Sequence, residues 1–188
     1  MIADERYRAI AVDIPIGLLD EHRPRGRLCD MAARLVVGMR IASIFTPPAR
    51  IALGAVSYEA AKRLCSMSRQ SYGLLRRIAE LDALITPAMQ SRVFETHPEV
   101  AFAALARRPW LSSKKTAQGR SERLAILAEL VPDTPRLARR RARLVRVDDL
   151  LDATVAAVVA ARRYRGHARR LPDIPAVDSR GLRMEIWY

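Results

Sequence analysis

Ala9-Ile10-Ala11-Val12 is a brief apolar run that ends at Asp13 and is followed at once by Ile14-Pro15-Ile16-Gly17. A run this short, bounded by proline and glycine, predicts a buried strand rather than a helix. Residues 18–26 are a polar loop. Leu28, Met31, Ala32, Leu35 and Val36 then recur at helical spacing over 27–37, with Gly38 as the stop. Thr46-Pro47-Pro48 breaks the chain. Ser57 is a good N-cap for a helix to about Met67, and a longer helix over 70–85 carries Leu74, Leu75, Ile78, Leu81 and Leu84 on one face.

Residues 92–96 predict a second strand, and His97-Pro98-Glu99 opens a short helix to Leu105 with proline at its favoured first position. A Lys114-Lys115-Thr116 loop leads to a helix over 118–130, an arginine-laced helix or linker over 136–146, and an apolar helix over 148–165. Pro172, Pro175 and Gly181 mark 171–188 as an extended tail whose last residues, 182–188, read as a terminal strand. Strands alternating with helices indicate an α/β layered domain, and 188 residues suffice for one domain with a real core.

Composition adds less than it first suggests. A net charge of +13 points towards polyanions. Yet apart from Lys62, Lys114 and Lys115 the positive charge is arginine, and alanine is abundant. GC-rich coding would produce that bias in any protein, so charge alone weighs equally for nucleic acid and for codon usage. The longest apolar stretch, residues 153–161, is about half the ~20 residues a bilayer span needs, so no membrane segment is expected. Cys29 and Cys65 show no metal-ligand spacing and are too few for a disulfide scaffold, which with the absence of a secretory signal predicts a reduced, cytoplasmic setting.

The candidate chemistry lies in the acids. Asp13 stands at the carboxyl end of a buried strand, where open α/β sheets build their ligand crevice; its structural alternative is a turn aspartate. Glu95 lies on the second strand and His97 points to the same side. Glu99 falls in the first turn of a helix, where the dipole accounts for it. Asp148 and Asp152 share a helix face and Asp149 is rotated away, with Asp152 at the polar end of the stripe through Val155 and Val159. An ionised carboxylate so near a buried surface is costly unless paired or metal-bound. Capping explains one of the three acids rather than all. Gathered carboxylates would hold Mg²⁺ or Mn²⁺ for phosphodiester hydrolysis. Lys114 and Lys115 would meet phosphates, and the Arg136–Arg146 run would track a backbone or form a solvated face. Walker, dinucleotide-binding, nucleophile-elbow and zinc patterns are missing from the sequence.

AVDIPIGL (11–18), RLCDMAARLVVGMRIASIFTPPAR (27–50), FETHPEVAFAAL (94–105), SKKTAQGRSERL (113–124), VDDLLDA (147–153) and RGLRMEIWY (180–188) together resemble the domain of unknown function 429 family. The resemblance covers nearly the whole chain in order. It implies a predicted nuclease of ribonuclease H-like fold: a mixed sheet with flanking helices and a helical insertion at about 57–86, forming one domain over 1–188. It also implies roles. Asp13, Glu95, Asp149 and Asp152 would be catalytic, Asp13, Glu95, Asp148 and Asp152 would hold the metal, and Arg34 and Arg40 would face the substrate, to which the residues' own settings add His97, Lys114 and Lys115. The family's opening hairpin, which carries a further acid, has no counterpart in residues 1–8, so the expectation is an N-terminally shortened domain with impaired activity. The alternatives are a non-catalytic nucleic-acid-binding module and an interaction protein that self-associates through its open sheet edge.

Overall fold

Two β-strands from distant parts of the chain lie side by side at the centre of the protein. The computed structural model describes residue 4 and residues 6–107, 111–139 and 145–188. β1 (Ile10–Val12) and β2 (Val93–Glu95) pair in parallel, with Ile10 opposite Val93, Ala11 opposite Phe94 and Val12 opposite Glu95. The pairing continues at its carboxyl end, where the Thr96 amide donates to the Val12 carbonyl at 2.9 Å.

The helices fall where the apolar spacing places them. α1 (Leu28–Val37) stops at Gly38 and runs into a 3-10 turn, Gly38–Ser43. α2 (Tyr58–Leu64) is capped by Ser57, whose hydroxyl accepts from the Ala60 amide at 3.1 Å; the helix ends at Leu64, three residues short of the expected Met67. α3 (Arg69–Leu84) is capped by Ser68. α4 (Pro98–Leu105) follows β2 directly, α5 (Ala117–Leu130) is capped by Thr116, α6 (Thr134–Arg139) is short, and α7 (Val147–Tyr164) is the longest. The arginine-laced segment 136–146 lies partly in α6, and its residues 140–144 lie outside the described residues.

The tail holds the expected terminal strand, and the extended segment ahead of it is a strand as well. Residues 170–187 form a β-hairpin, β3 (Arg170–Val177) against β4 (Arg183–Trp187), with an irregular register between Leu171 and Ala176. Pro172 and Pro175 fall inside that irregular stretch of β3, where missing amide donors are tolerated. Trp187 bridges in parallel to Thr96, and the Thr96 hydroxyl donates to the Trp187 carbonyl at 2.8 Å, so β4 flanks β2 on the side away from β1.

Strand alternation sends Ala11 and Phe94 to one face, where they meet Phe102 of α4, Leu127 of α5 and Leu151, Val155 and Val159 of α7. Ile10 and Val93 face the other way, against Leu81 and Ile85 at the end of α3. A third cluster packs Cys29, Ala33 and Val37 of α1 on Met184 and Ile186 of β4. The mixed α/β architecture is therefore a small sheet between helical layers.

Arg50 ties α3 to the hairpin. Its guanidinium bonds Asp82 of α3 at 3.1 Å, Asp178 of the hairpin turn at 2.5 Å and Asp20 at 2.9 Å. Gly17 permits the close approach of the loop after β1 to that hairpin. Its φ is +74°, and a Cβ there would lie 2.8 Å from the Met184 side chain.

Candidate functional site

The carboxyl ends of β1 and β2, the amino end of α4 and the first turns of α7 meet in one region. Asp13, the residue after β1, is exposed and lines a cleft of about 700 Å³ with Asp149 and Asp152 of α7. The rest of that cleft is apolar, lined by Ile10 and Ala11 of β1, by alanines of α7, and by Tyr7, Ala9 and Tyr164. Asp13 makes no hydrogen bond or ion pair among the described residues. Its carboxyl is raised to about 7, first by burial and then by the negative charge of Asp152, with Lys114 opposing. The side chain remains reachable by water although protein crowds it.

Asp152 is bound by Lys114, whose ammonium contacts Oδ2. Its Oδ1 is buried and has no partner among the described residues. The directions at this pair look opposed, since Asp152 and Lys114 are both raised. At the more buried Asp152, burial outweighs the lysine. At Lys114, one-third exposed, the bond and charge of Asp152 outweigh burial and hold the ammonium charged.

Glu95 is engaged elsewhere. Arg27 donates to its two oxygens at 2.7 and 2.8 Å and to Asp30 at 2.7 Å, and the Ile16 amide donates to Glu95 at 2.7 Å. All three side chains are buried. Burial raises the Glu95 carboxyl, opposed by Arg27. Glu95 and Asp13 share only a cavity of about 20 Å³, the room of a single water, which His97 also lines. Glu95 therefore fixes the loop that follows Asp13. Among the described residues, no three of His, Cys, Asp and Glu gather to hold a metal ion, so the expected meeting of Asp13, Glu95 and Asp152 around one cation is not seen.

Glu99 is buried rather than a surface acid served by the helix dipole. Arg123 of α5 grips both its oxygens at 2.9 and 2.7 Å and donates to the Ser112 and Gly119 carbonyls at 2.8 Å each. Those bonds hold the loop bearing Lys114. His97 stands at the N-cap of α4 with Nδ1 buried and without a partner among the described residues, and burial lowers it to about 4, so it is neutral at pH 7.

The remaining candidates spread out. Asp148 pairs with Arg146 at 3.2 Å, and α7 has no side-chain N-cap, so capping does not account for its acids. Arg34 binds the Arg25 carbonyl and the Thr46 hydroxyl at 2.8 Å each, an internal tie between loops. Arg40 has a buried Nε without a partner among the described residues, and Lys115 is exposed. Arg27 and Arg123 were not anticipated. For Arg123 a signal existed: it shares a helix face with Gly119 and Leu127, and an arginine on a buried stripe needs an acid.

The fold and site define a mixed α/β protein with an acid-lined cleft at the carboxyl end of a parallel strand pair. Residues 1–177 match the family described as "Protein of unknown function (DUF429)", and the chain belongs to that family. Neither the curated proteins nor the solved structures give a match. Among the described residues no helix is long and apolar enough to cross a membrane.

Proposed function

We propose that this protein is a divalent-metal-assisted phosphodiester hydrolase acting on nucleic acid, on a ribonuclease H-like scaffold in a single domain. The observation that carries the reading is the convergence of Asp13 and Asp152 on one cleft, where Lys114 takes one oxygen of Asp152 and the other is left buried and unbonded. An unsatisfied buried carboxylate oxygen is costly, and a cation beside it removes the cost. The donor set fits Mg²⁺ or Mn²⁺, because such ions use one or two carboxylates and complete their shell with water and phosphate oxygens. Bound there, the metal would supply an activated water and charge neutralisation at the phosphate. Asp13 and Asp152 would hold it and Lys114 would donate to a phosphate oxygen, with exposed Asp149 lining the same cleft. Glu95, locked by Arg27, positions Asp13 through the Ile16 amide. The parallel β1–β2 pair with α7 packed on it supports the scaffold assignment.

Calorimetric titration with Mn²⁺ tests the reading, alongside cleavage of a labelled oligonucleotide. Mn²⁺ binding that weakens in Asp13→Asn and in Asp152→Asn is the expected result. Failure of the wild-type protein to bind Mn²⁺, or undiminished binding in the double variant, refutes it. A second reading is favoured because, among the described residues, no three ligands gather at one point: a nucleic-acid-binding module without catalysis. It predicts salt-sensitive binding indifferent to EDTA.

A further inference from the structure

Arg107, the residue after the C-cap of α4, has a φ of 53°. Helices commonly end on one left-handed residue, and it is ordinarily glycine because a Cβ is crowded there. An arginine at such a position calls for a reason, and the described residues supply none. The Arg107 side chain is exposed and makes no hydrogen bond, ion pair or ring contact with them. It lines a cleft of about 710 Å³ with Arg162 at the end of α7, Arg169 ahead of β3 and Tyr188.

The cleft is built on fixed backbone. Arg169 and Tyr188 exchange amide-to-carbonyl bonds at 2.8 Å in both directions, while the Arg169 side chain is exposed and unbonded among the described residues. Arg162 donates to the His167 carbonyl at 3.2 Å and has no carboxylate partner among them. Opposing charge is small. Glu129 is the acid on the cleft wall, and the carboxyl ends of α4 and α7 contribute about half a negative charge each. Three guanidiniums leave a positive surplus.

We infer that this cleft binds the phosphates of a nucleic-acid strand, at a site apart from Asp13 and Asp152. Guanidinium forks match phosphate oxygens in pairs. Tyr188, partly buried and packed on the core, forms part of the cleft wall between the arginines. A volume of this size suits a nucleotide unit. Ten residues, about 15 Å along α7, separate Asp152 from Arg162, so the site is independent of the metal chemistry proposed above.

The test is fluorescence anisotropy of a labelled single-stranded 12-mer, in EDTA and in the Asp13→Asn background, over a salt series beginning at about 50 mM. The Arg107→Gln/Arg169→Gln pair is expected to lower the slope of log affinity against log salt by about 1.4, two phosphates at roughly 0.7 each. Arg63→Gln/Arg77→Gln, which removes exposed charges on α2 and α3, is expected to leave the slope unchanged. Absence of 12-mer binding by the wild type, an unaltered slope in the first pair, or an equal fall in the control pair overturns the inference. Adenosine monophosphate is titrated in parallel. If it displaces the 12-mer in an Arg107-dependent way, that supports phosphate recognition at this cleft. Arg107-dependent binding of the monophosphate without any 12-mer binding overturns the assignment to a strand.

Discussion

Replacing Arg27 by methionine is expected to be among the most damaging single changes to this protein. Arg27 is 2% exposed, and its guanidinium also reaches the Ile16 and Gly17 carbonyls at 3.0 Å each. Methionine fills much of the space but leaves the carboxylates of Asp30 and Glu95 facing each other in the interior. Removing one partner of a buried ion pair costs about 3–5 kcal/mol. That is a large part of the ~5–15 kcal/mol that holds a domain folded. With a urea slope of about 2 kcal/mol per molar, the unfolding midpoint at pH 7 falls by roughly 2 M. Urea titrations followed by circular dichroism measure it. The sign with pH follows from the raised Glu95 carboxyl: a group whose folded value is raised contributes stability at low pH that is lost as pH rises through the folded value. In Arg27→Met the carboxylates lose their cation, so the deficit should shrink as the solution is acidified. Adding Glu95→Gln and Asp30→Asn should restore most of the midpoint at pH 7. A midpoint shift below about 0.5 M, or a deficit that ignores pH and persists in the triple variant, refutes the electrostatic account.

Carbon-detected NMR of the Asp13 carboxyl should titrate near the value of about 7 and move towards the ordinary carboxylate range in Asp152→Asn; a titration near 4 in the wild type contradicts the crowding of the cleft. Because Asp13 is raised, its share of stability is present below about 4 and lost as pH climbs through about 7, so Asp13→Asn should flatten the stability profile in that window. Gly119→Ala would set a Cβ against the backbone of Ser113 and 2.6 Å from the Ser112 carbonyl oxygen. It should cost about 1–3 kcal/mol in urea titrations and loosen the Lys114–Asp152 bond, read as a change in the Asp152 titration. Ser57→Ala removes the cap of α2 and should cost about 1 kcal/mol, with faster amide exchange at Ala60.

What was legible in the sequence was local. Apolar spacing located α1, α3 and α7 to within a residue or so, because each presents one stripe to a core cluster, whereas α4, buried nearly all round, was marked by Pro98 at its first position and α5 by the loop ahead of it. β1 and β2 were legible because a short apolar run bounded by proline or polar residues has few other uses. β3 was not, since its residues are at most half-buried and two are prolines; what makes it a strand is β4, which a local pattern cannot see. The same distinction runs through the site. Asp13 and Asp152, read from their own surroundings, line one cleft. The commitment of Glu95 to Arg27 joins residues 68 apart, and nothing near Glu95 marks which of many arginines it meets.

The distribution of cations among these acids sets Asp13 apart from its neighbours at the strand ends. Around the carboxyl ends of β1 and β2, Glu95 has Arg27, Glu99 has Arg123 and Asp152 has Lys114. Each pairing offsets the cost of a carboxylate removed from water. Asp13, with exposed Asp149 on the same cleft, is left without a cation among the described residues, in a chain whose net charge is +13 and whose arginines are everywhere at hand. A purely structural aspartate in such a chain would be expected to capture one. Held instead beside Asp152, it makes the cleft a place where negative charge accumulates, which disfavours the empty fold and favours any bound cation by the same electrostatics. The accessible, unpaired acid and its half-satisfied neighbour are one feature, and it is the feature a metal ion would complete.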